Sequence, residues 1–241
     1  MARLQSRHWW FAAKRRLIAN VLRRHVKLGE SPWLLEVGCG TGSMISELAC
    51  HGRAVGLDLY RPALEHVGGA HRVEGNALSL PFDCGAFDLA ACFDSLYHQR
   101  VDDVSAALSE VARVTRSGGY LLITDSACPA LFGAHDRAHH GARRFSRAGL
   151  GEALETAGFD PLHISYFHTA VFPLVALSRL GSGWLRRLTG RDPAPAGRSQ
   201  LGEVPAPLNV LLNAYYAFEA AAASRVALPF GVSIVAVAER R

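Results

Sequence analysis

Three glycines spaced two apart, Gly38, Gly40 and Gly42, follow an apolar run that holds Glu36. At that spacing a backbone can pass close to a ligand, because no Cβ stands in the way. Three kinds of ligand suit such a turn: a nucleoside triphosphate, a dinucleotide, or one without phosphate. A triphosphate loop needs a lysine after GxxxxG, and none follows here. A dinucleotide loop has its third glycine at the place of Ser43, whereas here that glycine is Gly42. Asp58, twenty residues beyond Gly38, stands where a carboxylate can accept hydrogen bonds from both hydroxyls of a ribose.

A second group of residues suits proton transfer. His98, in DSLYHQRVDD, is a candidate base, with packing on its own loop as the alternative. GAHDRAHHGARRFS contributes His135, Asp136, His139, His140, Arg143 and Arg144. There His135 and Asp136 are candidates to face an acceptor, with the arginines pairing to an acidic substrate group; a solvated loop is the alternative. His135 and His139 have metal-ligand spacing on a helix, but Gly133 and Gly141 limit a helix there and no further ligand completes a site. Asp94 and Asp125 end neighbouring strands without an evident third magnesium ligand. No metal is expected.

The elements that must hold these residues are read from periodicity. Residues 9–25 read as an amphipathic helix behind the aromatic cluster Trp9, Trp10, Phe11. Strands are expected at 33–37, 54–58, 71–76, 87–93, 120–125, 161–167 and 232–238. Helices are expected at 42–50, near Pro62, at 102–115 and at 147–157, with a turn at Ser117-Gly118-Gly119. Alternation of this kind predicts an α/β, Rossmann-like, seven-stranded and mostly parallel sheet with helices on both faces and a helical insertion before the last strand. The division is a basic helix at 1–30, a ligand-binding core at 31–168, an insertion at 169–231 and a last core strand at 232–241. The insertion holds helical stretches at 170–180 and 208–226, joined by a proline-punctuated link at 181–207. It is expected to be an apolar acceptor lid, a closure of the core or a dimer contact.

The 241 residues carry a net charge of +5, unevenly placed. Residues 1–30 hold eight cations against Glu30 alone, so that segment is +7 and the rest −2. The body has no basic face, which argues against a nucleic-acid substrate, while the leader leaves contact with an anionic membrane surface or a solvated face open. Five scattered cysteines without CxxC spacing, no long apolar run and no secretory signal predict a cytoplasmic protein with reduced thiols.

Taken together, ExGxGxG from Glu36, Asp58 ending the second strand, EGNALSLPFDCGAFDLAACF and ALSEVARVTRSGGYLLITD resemble class I S-adenosylmethionine-dependent methyltransferases of the methyltransferase domain 11 group. The resemblance covers about residues 33–168 and the last strand. It implies S-adenosyl-L-methionine as methyl donor, S-adenosyl-L-homocysteine as product and a small-molecule acceptor. By the same resemblance Glu36, Gly38, Gly40 and Gly42 line the methionine part, Asp58 binds the ribose and Leu59 packs beside the adenine. Asn76 and Ala77 meet the adenine edge, with Asn76 where the family usually has Asp. Cys92 and Phe93 open onto the methionine amino group, while Trp10 and Lys14 of the leader cover the donor and reach its carboxylate. No (N/D/S)PP(Y/F) follows strand four and no Pro-Cys pair is present, which argues against the amino nitrogens of adenine or glutamine and against cytosine C5 as acceptors. The alternatives are an RNA or protein methyltransferase using the basic leader and a non-catalytic cofactor-binding protein.

Overall fold

The computed structural model describes residues 9–179 and 205–241. Arg3 and Arg7 of the leader, Leu180 and Trp184, and most of the 181–207 link lie outside the described residues. All seven expected strands form: β1 Trp33–Val37, β2 Arg53–Asp58, β3 His71–Glu74, β4 Phe87–Phe93, β5 Thr115–Ser126, β6 Phe159–Phe167 and β7 Ser233–Arg240. Their order is β3-β2-β1-β4-β5-β7-β6. β7 runs antiparallel to both neighbours, and the other pairings are parallel.

Strand alternation distributes the apolar residues to two layers. Leu34, Leu89, Ala91, Leu122, Val235 and Val237 face one layer. Leu35, Val37, Ala90, Cys92, Leu121 and Ile123 face the other. On the first face lie α1 Trp9–His25, which buries Ala13, Leu17, Ile18 and Val21, and the short α2 Ile45–Ala49. A single turn, α3 Arg61–Leu64, follows β2. On the second face lie α4 Val104–Val114, capped by Asp103 accepting from Ala106 N, and α6 Arg147–Thr156, capped by Ser146 accepting from Gly149 N.

Three expectations change. The glycine turn stays irregular as far as Met44, so α2 is shorter than 42–50. Ser117-Gly118-Gly119 lies inside β5, where the pairing register with β4 shifts between Phe87 and Leu89. A Cβ on Gly119 would stand 2.9 Å from Asp88 O, so glycine is needed there for strand contact. Between the flanking glycines a five-residue helix does form, α5 Ala134–Ala138.

The segment before β7 holds α7 at 172–179 and α8 Ala206–Ala223. α8 lies parallel to α1. Trp9 N donates to Asn209 Oδ1, Arg16 to Asn213, and His25 Nε2 lies 2.9 Å from Ser224 O. Trp9 stacks on Tyr216 with ring centroids 4.8 Å apart.

Candidate active site

The sheet reverses its order between β1 and β4, which opens a crevice beyond their carboxyl ends. A cavity of about 520 Å³ lies there, lined by Gly38, Asp58, Leu59, Tyr60, Asn76, Ala77, Asp94, Ser95, His98, Gln99, Arg100 and His140 among others. The turn after β1 is pinned by backbone bonds: Gly38 N and Cys39 N both donate to Leu57 O, at 2.7 and 3.0 Å. Gly38 has φ +78°, and a Cβ there would stand 2.6 Å from Ser95 Cβ. Gly40 differs, because a Cβ would meet nothing within 4 Å. Its bareness leaves space rather than relieving contact.

Asp58 ties the wall together. Its Oδ2 accepts from Gly40 N at 2.7 Å and its Oδ1 from Tyr60 N at 2.8 Å. Asn76 Oδ1 accepts from Leu78 N at 3.0 Å, which fixes the turn presenting Asn76 and Ala77. Behind the glycines, Glu36 is buried, and its Oε2 has no hydrogen-bond partner among the described residues. Burial raises its pKa well above the usual carboxylate value, with Lys14 acting against that shift.

The strand-four opening lies one residue later than expected. Cys92 is fully buried on one face of the sheet and Phe93 is buried on the other; neither lines the cavity. Burial drives the Cys92 thiol up to about 12, so it stays protonated. The chain reaches the cavity at Asp94, whose φ of +51° turns it out of the strand, and at Ser95. Periodicity shows where a strand runs, but not which residue first leaves it.

Lys14 and Trp10 do not line the cavity either. Lys14 is buried, and its Nζ donates to Asp94 Oδ2, so it meets the cavity through that carboxylate. Trp10 stacks face to face on His168, centroids 3.6 Å apart. His168 is buried at the end of β6 with φ +60°, its Nδ1 3.1 Å from Ser233 Oγ. Burial first, and then the charge of Lys14, hold its pKa well below the usual value.

Of the three proton-transfer candidates, only His98 reaches the cavity. Its Nδ1 accepts from Arg100 N at 3.1 Å. Burial, then the neighbouring His140 and Arg100, lower its pKa, so the ring is neutral at neutral pH with its proton on Nε2. In this arrangement Nδ1 is engaged as an acceptor and Nε2 is the remaining donor. Asp136 is buried, bonded through Oδ1 to Arg144 at 2.6 Å and through Oδ2 to Arg179 and Gly133 N. Burial acts to raise its pKa, but the two guanidiniums outweigh that and hold it below the usual value. It braces the loop instead of meeting an acceptor. His135 packs edge-on to His139 at 4.5 Å, away from the cavity lining.

The arginines expected to meet a substrate hold backbone instead. Arg143 donates to the carbonyls of Leu96, Val101 and Asp102, and Arg144 also donates to Ala127 O. No cluster of three or more metal-ligating residues occurs among the described residues. Tyr60, Gln99 and Arg100, which the spacing did not single out, complete the wall with His140 of the histidine-rich loop. Gln99 N donates to His140 O at 2.8 Å, a pairing across 41 residues that no local pattern announces. No described residue of 169–231 lines the cavity, so the described part of the insertion forms no acceptor lid over it.

The profile of a family described as "Methyltransferase domain" matches residues 35–123. A demethylmenaquinone methyltransferase of Staphylococcus haemolyticus is 31% identical over 118 residues, which cover 44% of this chain and 48% of that protein. The chain spans about half the length of the curated relatives it matches. Among solved structures, the [4+2]-cyclase SpnF superposes with a TM-score of 0.62 at 22% identity, covering 96% of this chain and 82% of that one. Geranyl diphosphate C-methyltransferase from Streptomyces coelicolor A3(2), solved with S-adenosyl-L-homocysteine, gives 0.58 at 16% identity, covering 92% and 78%. Over residues 35–123 the chain therefore carries a methyltransferase domain, built on the class I S-adenosylmethionine-dependent methyltransferase fold.

Proposed function

We propose that the chain transfers a methyl group from S-adenosyl-L-methionine to a small-molecule acceptor at oxygen or nitrogen. The observation that carries this reading is the cavity at the strand-order reversal, where Gly38 of the bare turn and the carboxylate of Asp58 share one wall inside a methyltransferase domain, and Asp58 Oδ2 accepts from Gly40 N beside that wall. Two features fit the donor: the open space at Gly40 and the unpartnered, buried Glu36 Oε2, which can accept from an ammonium.

When bound, the donor supplies a methyl carbon already activated by positive sulfur. The protein's task is then to align the acceptor and exclude water. Asp58 holds two acceptor oxygens toward a ribose while fixing the turn that carries Gly40. Glu36 and Asp94, with Lys14 between α1 and the sheet, form the charged end of the site. Tyr60, Leu59 and Ala77 offer apolar surface to an adenine, and His98 contributes an Nε2–H donor. Any base for a hydroxyl acceptor comes from a group other than His98 in its present tautomer.

Since one structural neighbour is a [4+2]-cyclase, the fold alone does not decide the reaction. Donor binding and turnover are therefore measured separately. Calorimetric titration of the full chain with S-adenosyl-L-methionine should show one site, weakened more than about tenfold by Asp58→Ala. Unchanged affinity in that variant would remove the ribose role. Methyl transfer to a panel of small hydroxy and amino acceptors then tests the reaction itself. Donor binding without transfer to any acceptor would favour a non-catalytic cofactor-binding protein.

A further inference from the structure

α8 has eighteen residues and one charged side chain, Glu219, which is buried and accepts from Thr169 N through Oε1. Its inner row, Tyr216, Ala220 and Ala223, packs in the core. The outer side is apolar and exposed: Val210 is 68% accessible, Leu211 65% and Phe218 74%. Leu174 and Leu177 of α7 are exposed to a similar degree, and Thr169 Oγ1 lies 3.1 Å from Tyr215 Oη, joining the base of α7 to α8. A helix that is apolar on every side is normally buried on every side. Here the outer half is uncovered among the described residues, and so many large apolar groups together mark an interaction surface.

What borders this face identifies its occupant. α1 runs alongside α8 and exposes Arg16, Arg23 and Arg24, with Lys27 just beyond its end. The Arg16 guanidinium donates to Asn213 O at 3.1 Å and to its Oδ1 at 3.3 Å, so the cationic ridge adjoins α8 directly. Arg225, also exposed, follows the last turn of α8. We propose that this face docks on an anionic bilayer surface. The α7–α8 apolar row enters the boundary between headgroups and acyl chains, and the α1 ridge holds the anionic headgroups. No helix of the described residues is long and apolar enough to cross a membrane, so the contact lies on the bilayer instead of spanning it. A second copy of the chain is disfavoured as occupant. In a second copy the same face would offer the cationic ridge no anionic partner, because the one acid of α8, Glu219, is buried.

Co-sedimentation of the full chain with vesicles tests this. With phosphatidylcholine vesicles containing about 30% phosphatidylglycerol, at roughly 0.1 M salt, the chain should sediment; with phosphatidylcholine alone it should stay in solution. Leu211→Ser combined with Phe218→Ser should weaken binding at least about tenfold, as should Arg23→Gln combined with Arg24→Gln. All four positions are solvent-exposed, so urea midpoints near the parent's confirm that the variants fold. S-adenosyl-L-homocysteine affinity serves as a separate readout: the docking variants should keep it, which separates failure of docking from failure of the proposed activity. Absence of binding to the anionic vesicles overturns the proposal. So does equal binding by parent and Leu211→Ser/Phe218→Ser, or a vesicle-free dimer that those two substitutions dissociate.

Discussion

At the scale of single residues, the charged end of the site is set by burial. Asp125 is fully buried, with Oδ1 accepting from Ser126 N and Oδ2 from Tyr97 N. Burial first, then the charge of Asp94, raise its pKa from 3.8 to about 8. Between those values the folded chain holds a proton that the unfolded chain releases. The Asp125 contribution to stability is thus complete below the unfolded value and is lost as pH rises through the folded one. The stability of the parent minus that of Asp125→Asn should therefore fall steadily from about pH 4 to about pH 8, in favour of the neutral variant at the upper end, read from urea midpoints at matched slopes. A difference that does not vary with pH would show that Asp125 is ionised in the folded chain. Not all of this chemistry was legible in the sequence. The placement of Gly38, Asp58 and His98 at the cavity was, because local spacing ties each to a strand end. Asp94 and Ser95 were displaced to Cys92 and Phe93, since an apolar run continues past the point where the backbone turns away. Asp136 was misread for a different reason: its partner Arg179 lies 43 residues on.

At the scale of elements, the loop from β5 to α6 is braced by charge and not by regular structure. Asp136 on α5 joins Arg144 before α6 to Arg179 on α7, and both guanidiniums also bond backbone carbonyls. The same loop supplies His140 to the cavity wall through Gln99. Removing the shared carboxylate leaves buried guanidiniums without their counter-ion, at a cost of about 3–5 kcal/mol. Asp136→Ala should lower the urea midpoint accordingly and speed amide exchange from about residue 131 to 145, with the β1–β2 turn unchanged. Exchange rates equal to the parent's would mean that the loop is held by other contacts. Strands such as β1, β4 and β7 were legible because each is a short apolar run that alternates across two cores. α5 was not, because its flanking glycines argue against a helix, while Gly133 N bonding Asp136 Oδ2 caps one at 2.8 Å. The α1–α8 pairing was also invisible, since Trp9 and Asn209 are 200 residues apart.

At the scale of the whole molecule, the candidate site gathers strand ends from both sides of the order reversal. Gly38, Asp58 and Asp94 stand at the carboxyl ends of three different strands, and Lys14 ties the third of these to α1. A ligand seated between them bridges parts of the chain that unfolding separates, and binding only the folded state raises stability by mass action. S-adenosyl-L-homocysteine at a hundred times its dissociation constant should add about 2.7 kcal/mol. For a chain of this length that corresponds to a rise in the thermal midpoint of roughly 5–11 °C. Scanning calorimetry against product concentration tests this, because the midpoint should keep climbing with the logarithm of concentration instead of saturating. On the proposed reading adenosine alone spans the Asp58 side but not the Glu36 and Asp94 side, and should give a smaller rise at equal concentration. If adenosine matches the product, the glycine turn and the buried carboxylate behind it hold nothing, and the site is a nucleoside pocket instead of a methyl-donor site.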